Sequence, residues 1–206
     1  MADLESLLIL FAILLLSLSF HEAAHAFTAD RLGDPTARRL GRITLNPMAH
    51  IDWIGTVLFP LVAILSNLPL IGWAKPVPVN FHNLRAPRRD FALVAAAGPA
   101  SNLVLAVVLA LVLMVVVGTQ AYTVVALLSR AVLLNVMLAV FNMIPVPPLD
   151  GGNVLAGLLP EQAARLIDQM RPWGFLILYA LMFTGVLGQV VFPIADAITR
   201  RLLPVY

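Results

Sequence analysis

Residues Phe91 to Val117 include no charged side chain, and that stretch restricts the fold more than any other part of the chain. A bilayer core about 30 Å thick is crossed by roughly 20 apolar helical residues, so a run of this length reads as a membrane helix. The pattern recurs. Leu7 to Phe27 carries ionisable residues only at His21, Glu22 and His25, Thr123 to Ile144 contains the single charge of Arg130, and the stretch 173–204 opens with the uncharged Trp173 to Phe192. Trp53 to Trp73 is also long and uncharged, but Pro60, Asn67 and Pro69 break it. Composition agrees: 61% of the residues are hydrophobic and 12% charged, where a soluble domain has about a quarter charged, and mean hydropathy is +0.94. That balance excludes a disordered chain and a cytosolic enzyme. A net charge of +2 confined to loops also argues against nucleic acid as a partner. The expected fold class is an all-α polytopic membrane protein, a single membrane-embedded domain over residues 1–206 with about five to six membrane helices.

Basic residues in short loops set the orientation. Thr28 to His50 holds Arg31, Arg38, Arg39 and Arg42, and Ala74 to Asp90 holds Lys75, Arg85, Arg88 and Arg89, so both read as cytoplasmic. Met1 to Ser6 and Gly118 to Tyr122 hold none and read as the outer side. The element 53–73 then starts and ends on the same side, which predicts a re-entrant or hairpin element, tolerated at depth where protein covers its backbone, with a plain kinked span as the alternative. The first run has an acidic flank (Asp3, Glu5) and ends in His and Glu instead of small residues; it is expected to remain in the mature protein. Gly41 to Asn46 and Val77 to Phe81 alternate apolar with polar or Pro residues, which predicts short cytoplasmic-side β-strands of the edge type. Pro160 to Met170 predicts a short amphipathic helix on the membrane surface.

The chain has only four His, yet two of them and a Glu fall within five residues of the first helix. Positions i and i+4 share a helical face, so His21 and His25 can hold one metal ion. Glu22 stands beside them, able to take a proton from an activated water without being a ligand. This is the His-Glu-x-x-His arrangement of metalloproteases. An isolated His on an apolar helix is more often a satisfied core residue, but three ionisable groups together inside a membrane helix persist mainly where function or pairing compensates their cost. With no Cys in the chain, a zinc site must be completed by His or a carboxylate. Asp150 is the best-placed candidate, following the proline-rich stop Pro145, Pro147, Pro148 and preceding Gly151 and Gly152; a turn or helix-capping aspartate is the bland alternative. With 53–73 re-entrant, the helices at 91–117 and 123–144 return Asp150 to the side where His21 and His25 lie.

These residues match a known family. The chain resembles the site-2 protease family of intramembrane zinc metalloproteases, in its compact form without a PDZ domain. His21-Glu-Ala-Ala-His25 matches the zinc motif, Asn142-Met-Ile-Pro-Val-Pro-Pro-Leu-Asp150-Gly151 the second motif, and Gly98-Pro-Ala-Ser-Asn102 resembles the motif of the intervening helix. Gly41 to Asp52 is similar to a loop of this subgroup. The likeness spans about Leu7 to Gly152. It implies one catalytic Zn2+ held by His21, His25 and Asp150, with Glu22 as general base. It also implies hydrolysis of a peptide bond within or next to the transmembrane helix of a membrane-protein substrate. Asn142 is a candidate donor to the oxyanion, though an Asn bonding between packed helices is as common. Asn102 is a possible partner of a ligand or a gate residue, and the helix-packing alternative is stronger for it, since Gly98 and Ala100 suggest close packing. His50 is a possible partner of a ligand or a gate residue, although an interfacial His is the commoner case. The resemblance further implies a multi-pass protein in the bilayer of a prokaryotic cell membrane with its site toward the cytoplasm. A catalytically idle binding or chaperone-like relative is the alternative, against which the intact Glu22 speaks; a metal transporter would need ligands at several depths. An unwound substrate is expected to pair with one of the two predicted edge strands. No sequence feature sets the oligomeric state.

Overall fold

The structure, a computed structural model, describes residues 4–66 and 72–203. The described residues form nine α-helices. The first, α1 (Leu4–Arg31), ends in a turn at Leu32 and Gly33 and is followed by the single-turn α2 (Thr36–Arg39). Asp52 then opens a wide π-type turn, Trp53–Leu58, its carboxylate accepting from Ile54 N at 3.0 Å and Gly55 N at 2.8 Å, and the chain continues into α3 (Phe59–Ser66). It returns at Trp73, whose N–H donates to Gly55 O at 3.2 Å and whose carbonyl accepts from Thr56 Oγ1 at 2.8 Å. The breaks expected at Asn67 and Pro69 lie outside the described residues. Two long helices follow, α4 (Pro87–Val116) and α5 (Tyr122–Asn142), and then four shorter ones: α6 (Asp150–Leu158), α7 (Glu161–Met170), α8 (Gly174–Phe183) and α9 (Val186–Leu202).

Small residues let α1, α4 and α5 approach closely, as packing without a hydrophobic drive requires in lipid. Ala26, Ala29, Ala95, Ala106, Ala110, Ala131 and Ala139 are all buried. On α4 and α5, Ala106, Ala110 and Leu113 meet Val132 and Val136, with Ala195 of α9 closing the cluster. Large side chains such as Val104, Leu111 and Val115 of α4 point outward, which is the distribution of a helix bathed in lipid.

Two expectations need correction. Among the described residues there are no β-strands. Gly41 to Asn46 forms turns and bends, while Val77 to Asn80 has no regular structure and Phe81 starts a single 3-10 turn. The reason is that side chains take the backbone groups a ladder would use. Arg42 donates to the carbonyls of Lys75 and Pro76, Asp34 Oδ2 accepts from Asn80 N at 2.6 Å, and Asn46 and Asn80 cap their own turns. Pro76 and Pro78 have no N–H to offer. The count of five to six membrane helices is also too high. Among the described residues three helices, Leu8–Arg31, Pro87–Val116 and Tyr122–Asn142, are long and apolar enough to cross a membrane, and a bent C-terminal pair makes four at most. That pair turns by 78° at Gly185, whose φ of 75° lies in the left-handed region that favours glycine. At 10 residues, α8 spans only about 15 Å by itself. The molecule is an all-α integral membrane protein.

Candidate metal centre

Two separate elements deliver three donor atoms to one point. His21 and His25 project from one face of α1, and Asp150 stands at the first position of α6, just after the chain has turned through Pro145 to Leu149. His21 Nε2 lies 3.0 Å and His25 Nε2 3.3 Å from Asp150 Oδ2, and all three donor atoms fall within 4.8 Å of one another. With bonds of about 2.0–2.2 Å, a tetrahedral zinc ion separates its ligands by about 3.3 Å, so the spacing fits one ion. The donor chemistry fits too: two imidazoles and a carboxylate match catalytic zinc, with a position left open.

Both imidazoles are held from behind. His25 Nδ1 donates to Val94 O at 2.7 Å, and because a carbonyl can only accept, the proton sits on Nδ1 and leaves the Nε2 lone pair free for a metal. His21 Nδ1 is 2.6 Å from Asn102 Oδ1. The opposite wall is Gly98 of α4: a methyl group built there would press on Nε2 of both histidines. Read from sequence as a helix-packing residue, Gly98 is in fact the floor of the site.

The centre opens into a cavity of about 670 Å³. Glu22 and Asn142 line it beside the three donors, and most of the remaining wall is apolar, including Leu18, Trp73, Phe91, Phe141, Phe175 and Met182. Asn142 Nδ2 donates to Leu138 O within its own helix at 2.9 Å, which leaves one amide proton for the cavity. Asn153, one turn beyond Asp150, also lines it, with its Oδ1 buried and unpaired.

His50 stands away from the donor cluster. It is 3% exposed, its Nε2 donates to Thr44 O at 2.9 Å and its carbonyl accepts from Lys75 N at 2.8 Å. It therefore ties the loop before the π-type turn to the segment that forms the cavity wall. Arg42, which the sequence reading counted only as topology charge, works beside it, its Nη2 3.5 Å from His50 Nδ1. Burial pulls the Arg42 guanidinium below the usual arginine range, and the Glu22 carboxylate acts in the opposite direction. Asp34 fastens the same region to α1: its carboxylate accepts from Thr36, Asn83 and Asn80. Also overlooked in the sequence were Ser17 and Asn135, both fully buried next to Asn102. The available signal was an uncharged amide at Asn135, well inside an apolar run.

Comparison with known proteins agrees with the site. Residues 117–185 match the model of "Peptidase family M50". The chain is 36% identical over 191 residues to YwhC of Bacillus subtilis (strain 168), a protein with a zinc-metalloprotease name, covering 89% of this chain and 84% of that one. It is also 36% identical over 180 residues to Rip2 of Mycolicibacterium smegmatis, similarly named, covering 85% and 66%. A more distant relative, zinc metalloprotease MJ0392 of Methanocaldococcus jannaschii, is 27% identical over 77% of this chain and 36% of its own. No solved structure matches. With the donor set, the cavity and these relatives in agreement, the chain belongs to peptidase family M50, the site-2 protease family, and is a zinc metalloprotease.

Proposed function

We propose that this protein is an intramembrane endopeptidase that cuts a peptide bond within or next to the transmembrane helix of another membrane protein. The observation that carries the reading is where the donors sit. His21, Glu22 and His25 belong to a bilayer-length helix and line a largely apolar cavity walled by α1, α4, α5 and α8. A soluble substrate would not need such a wall; an apolar segment that has left lipid would.

In this reading His21, His25 and Asp150 hold the zinc ion. When bound, zinc supplies Lewis acidity to the scissile carbonyl and brings water toward a neutral pKa. Glu22 takes the proton of the attacking water and passes it to the leaving amine. Asn142 offers its free amide proton to the developing oxyanion. The re-entrant reading of 53–73 fits the return of Trp73 to Gly55 and Thr56. By the charge bias of the loops, the site faces the cytoplasmic side of a prokaryotic cell membrane. A helical substrate must unwind before its carbonyl is accessible, because its peptide groups are otherwise occupied by i to i+4 bonds.

The test is a set of single-span substrates reconstituted with the purified protein in liposomes. Glu22→Gln keeps the shape and the zinc but removes the base, so cleavage should fall at least about a thousandfold with metal content unchanged. Cleavage by the variant at the wild-type rate would refute the role of Glu22. Cleavage confined to extramembrane loops would refute the intramembrane reading.

A further inference from the structure

We infer that Asn135, with Ser17 beside it, is a positioning residue for the metal centre: it sets the orientation of the Asn102 amide and, through it, the tautomer in which His21 meets zinc. The inference rests on the reading of His21 as a zinc ligand.

Donor and acceptor bookkeeping fixes every member of the chain. Asn135 Nδ2 lies 2.9 Å from Ala131 O, and a backbone carbonyl only accepts, so that side of the amide is the NH2 group. Its second proton goes to Ser17 Oγ at 3.0 Å. Asn135 Oδ1 therefore faces Asn102, where it accepts from Nδ2 at 2.9 Å. The other proton of that group is directed to Ser17 O at 3.2 Å, again an acceptor only. Asn102 is thus left with Oδ1 toward His21 Nδ1, at 2.6 Å. An acceptor there requires Nδ1 to carry the proton, which places the lone pair of a neutral ring on Nε2, the atom beside Asp150.

The reverse orientation of Asn102 is strongly disfavoured. It would set its oxygen against Asn135 Oδ1 and Ser17 O, acceptor facing acceptor, and its NH2 group against His21 Nδ1. Asn102 and Asn135 are 0% exposed, Ser17 1% and His21 4%, so no water relieves the mismatch, and unpaired polar groups at such depth are expensive. Removing Asn135 Oδ1 takes away one of the two acceptors that hold Asn102 in place.

The experiment measures zinc affinity of the purified full-length chain in detergent by competition with a chelator. In parallel, 15N spectra of the metal-free protein report the His21 ring nitrogens. Asn135→Leu removes the acceptor while keeping the side chain's branched shape. It should weaken zinc by about three- to tenfold, below the 10- to 100-fold typical of a group bonded directly to a ligand, and give His21 a mixture of tautomers. Ser17→Ala, a milder change, should shift both readouts in the same direction and decides the matter if Asn135→Leu does not fold. In an Asn102→Asp background both carboxylate oxygens accept, no orientation is needed, and Asn135→Leu should cost no further zinc affinity. An equal loss in both backgrounds, or wild-type affinity with a pure Nδ1–H signal in Asn135→Leu, overturns the inference. Zinc retained by His21→Ala overturns the ligand reading and this inference with it. Zinc lost from His21→Ala but unchanged in Asn135→Leu overturns the inference alone.

Discussion

Two buried polar systems hold this molecule together, and they are built from different chemistry. Between α1, α4 and α5 the connections are neutral: Ser17, Asn102, Asn135 and the ring of His21. At the ends of the helices they are charged. There Asp34 gathers the turn after α1, the segment at Asn80 and Asn83, and Thr36. Arg42 holds the carbonyls at Lys75 and Pro76, and Arg88 of α4 donates to Ala156 O at 2.9 Å and Leu159 O at 2.6 Å at the end of α6. The division follows from solvation. An ionised group taken into hydrocarbon loses far more hydration than an amide does, so amides serve at depth and charges serve where water is near. The neutral system should therefore control the metal and the charged one should control the loops and the cavity wall.

The largest effect expected from that division is at Gly98. Gly98→Ala brings a methyl group against Nε2 of His21 and His25, the atoms that face the ion, without touching any loop. Zinc affinity and peptidase activity should both fall at least about a hundredfold, and the thermal midpoint of the metal-free protein should fall too, because the methyl crowds the buried rings with or without the ion. Retention of zinc in Gly98→Ala would show that the histidines can retreat and that the deep system is less rigid than its hydrogen bonds indicate.

At the other end of the division is Arg42. Arg42→Met keeps the apolar stem but leaves the carbonyls of Lys75 and Pro76 without their donor, a loss of about 1–3 kcal/mol for buried groups. The wall from Trp73 to Val79 should loosen. Peptidase kcat/KM should drop about tenfold, mostly through KM, with zinc affinity intact. Arg42→Lys should not rescue it, because one ammonium cannot reproduce the planar fork. Zinc loss in Arg42→Met would join the two systems that the structure keeps separate.

How much of this was readable beforehand follows the same division. Where charge is scarce each ionisable residue is conspicuous, so His21, Glu22, His25 and Asp150 could be selected from sequence, and the structure brings the two histidines and Asp150 to one point. Neutral amides are not conspicuous: Asn135 is one polar residue in an apolar helix and became informative only when its neighbours were known. The loop charges misled in a different way. Alternation in Gly41 to Asn46 and Val77 to Phe81 predicted strands, but Arg42 and Asp34 had already engaged the backbone groups that strands would pair. Gly98 was read as a helix-packing residue, yet only coordinates show that it faces two imidazoles.

Asp34 gives the charged system a pH signature. Burial pushes its carboxyl upward, but hydrogen bonds from Thr36, Asn83 and Asn80 outweigh this and hold it below the usual carboxylate range. A pKa depressed by folding stabilises the protein above the unfolded value of about 3.9, and that contribution is lost as pH falls through the lower folded value. Asp34→Asn replaces Oδ2 with an NH2 group facing Asn80 N–H. At pH 7 the variant should lose about 1–3 kcal/mol, read as a midpoint lower by roughly 2–10 °C. The gap to wild type should narrow as the pH is taken below about 4. A gap independent of pH would mean that the loss comes from packing instead of the ionised carboxylate.

The smallest effect is expected where charge meets water with nothing buried. Arg165 donates to Glu161 at 2.6 Å on the outer face of α7, with side chains 71% and 68% exposed. The pairing raises the arginine and lowers the glutamate, but solvent and salt screen such a pair and the long side chains lose entropy in making it. Arg165→Ala should therefore leave thermal midpoint, zinc affinity and activity unchanged within error. A clear loss would be informative in its own right. It would mean that the polar face of α7 is covered in the membrane, by headgroups or by protein. Charge at the helix ends would then be divided between contacts inside the fold, as at Asp34 and Arg42, and contacts made by α7 to its surroundings.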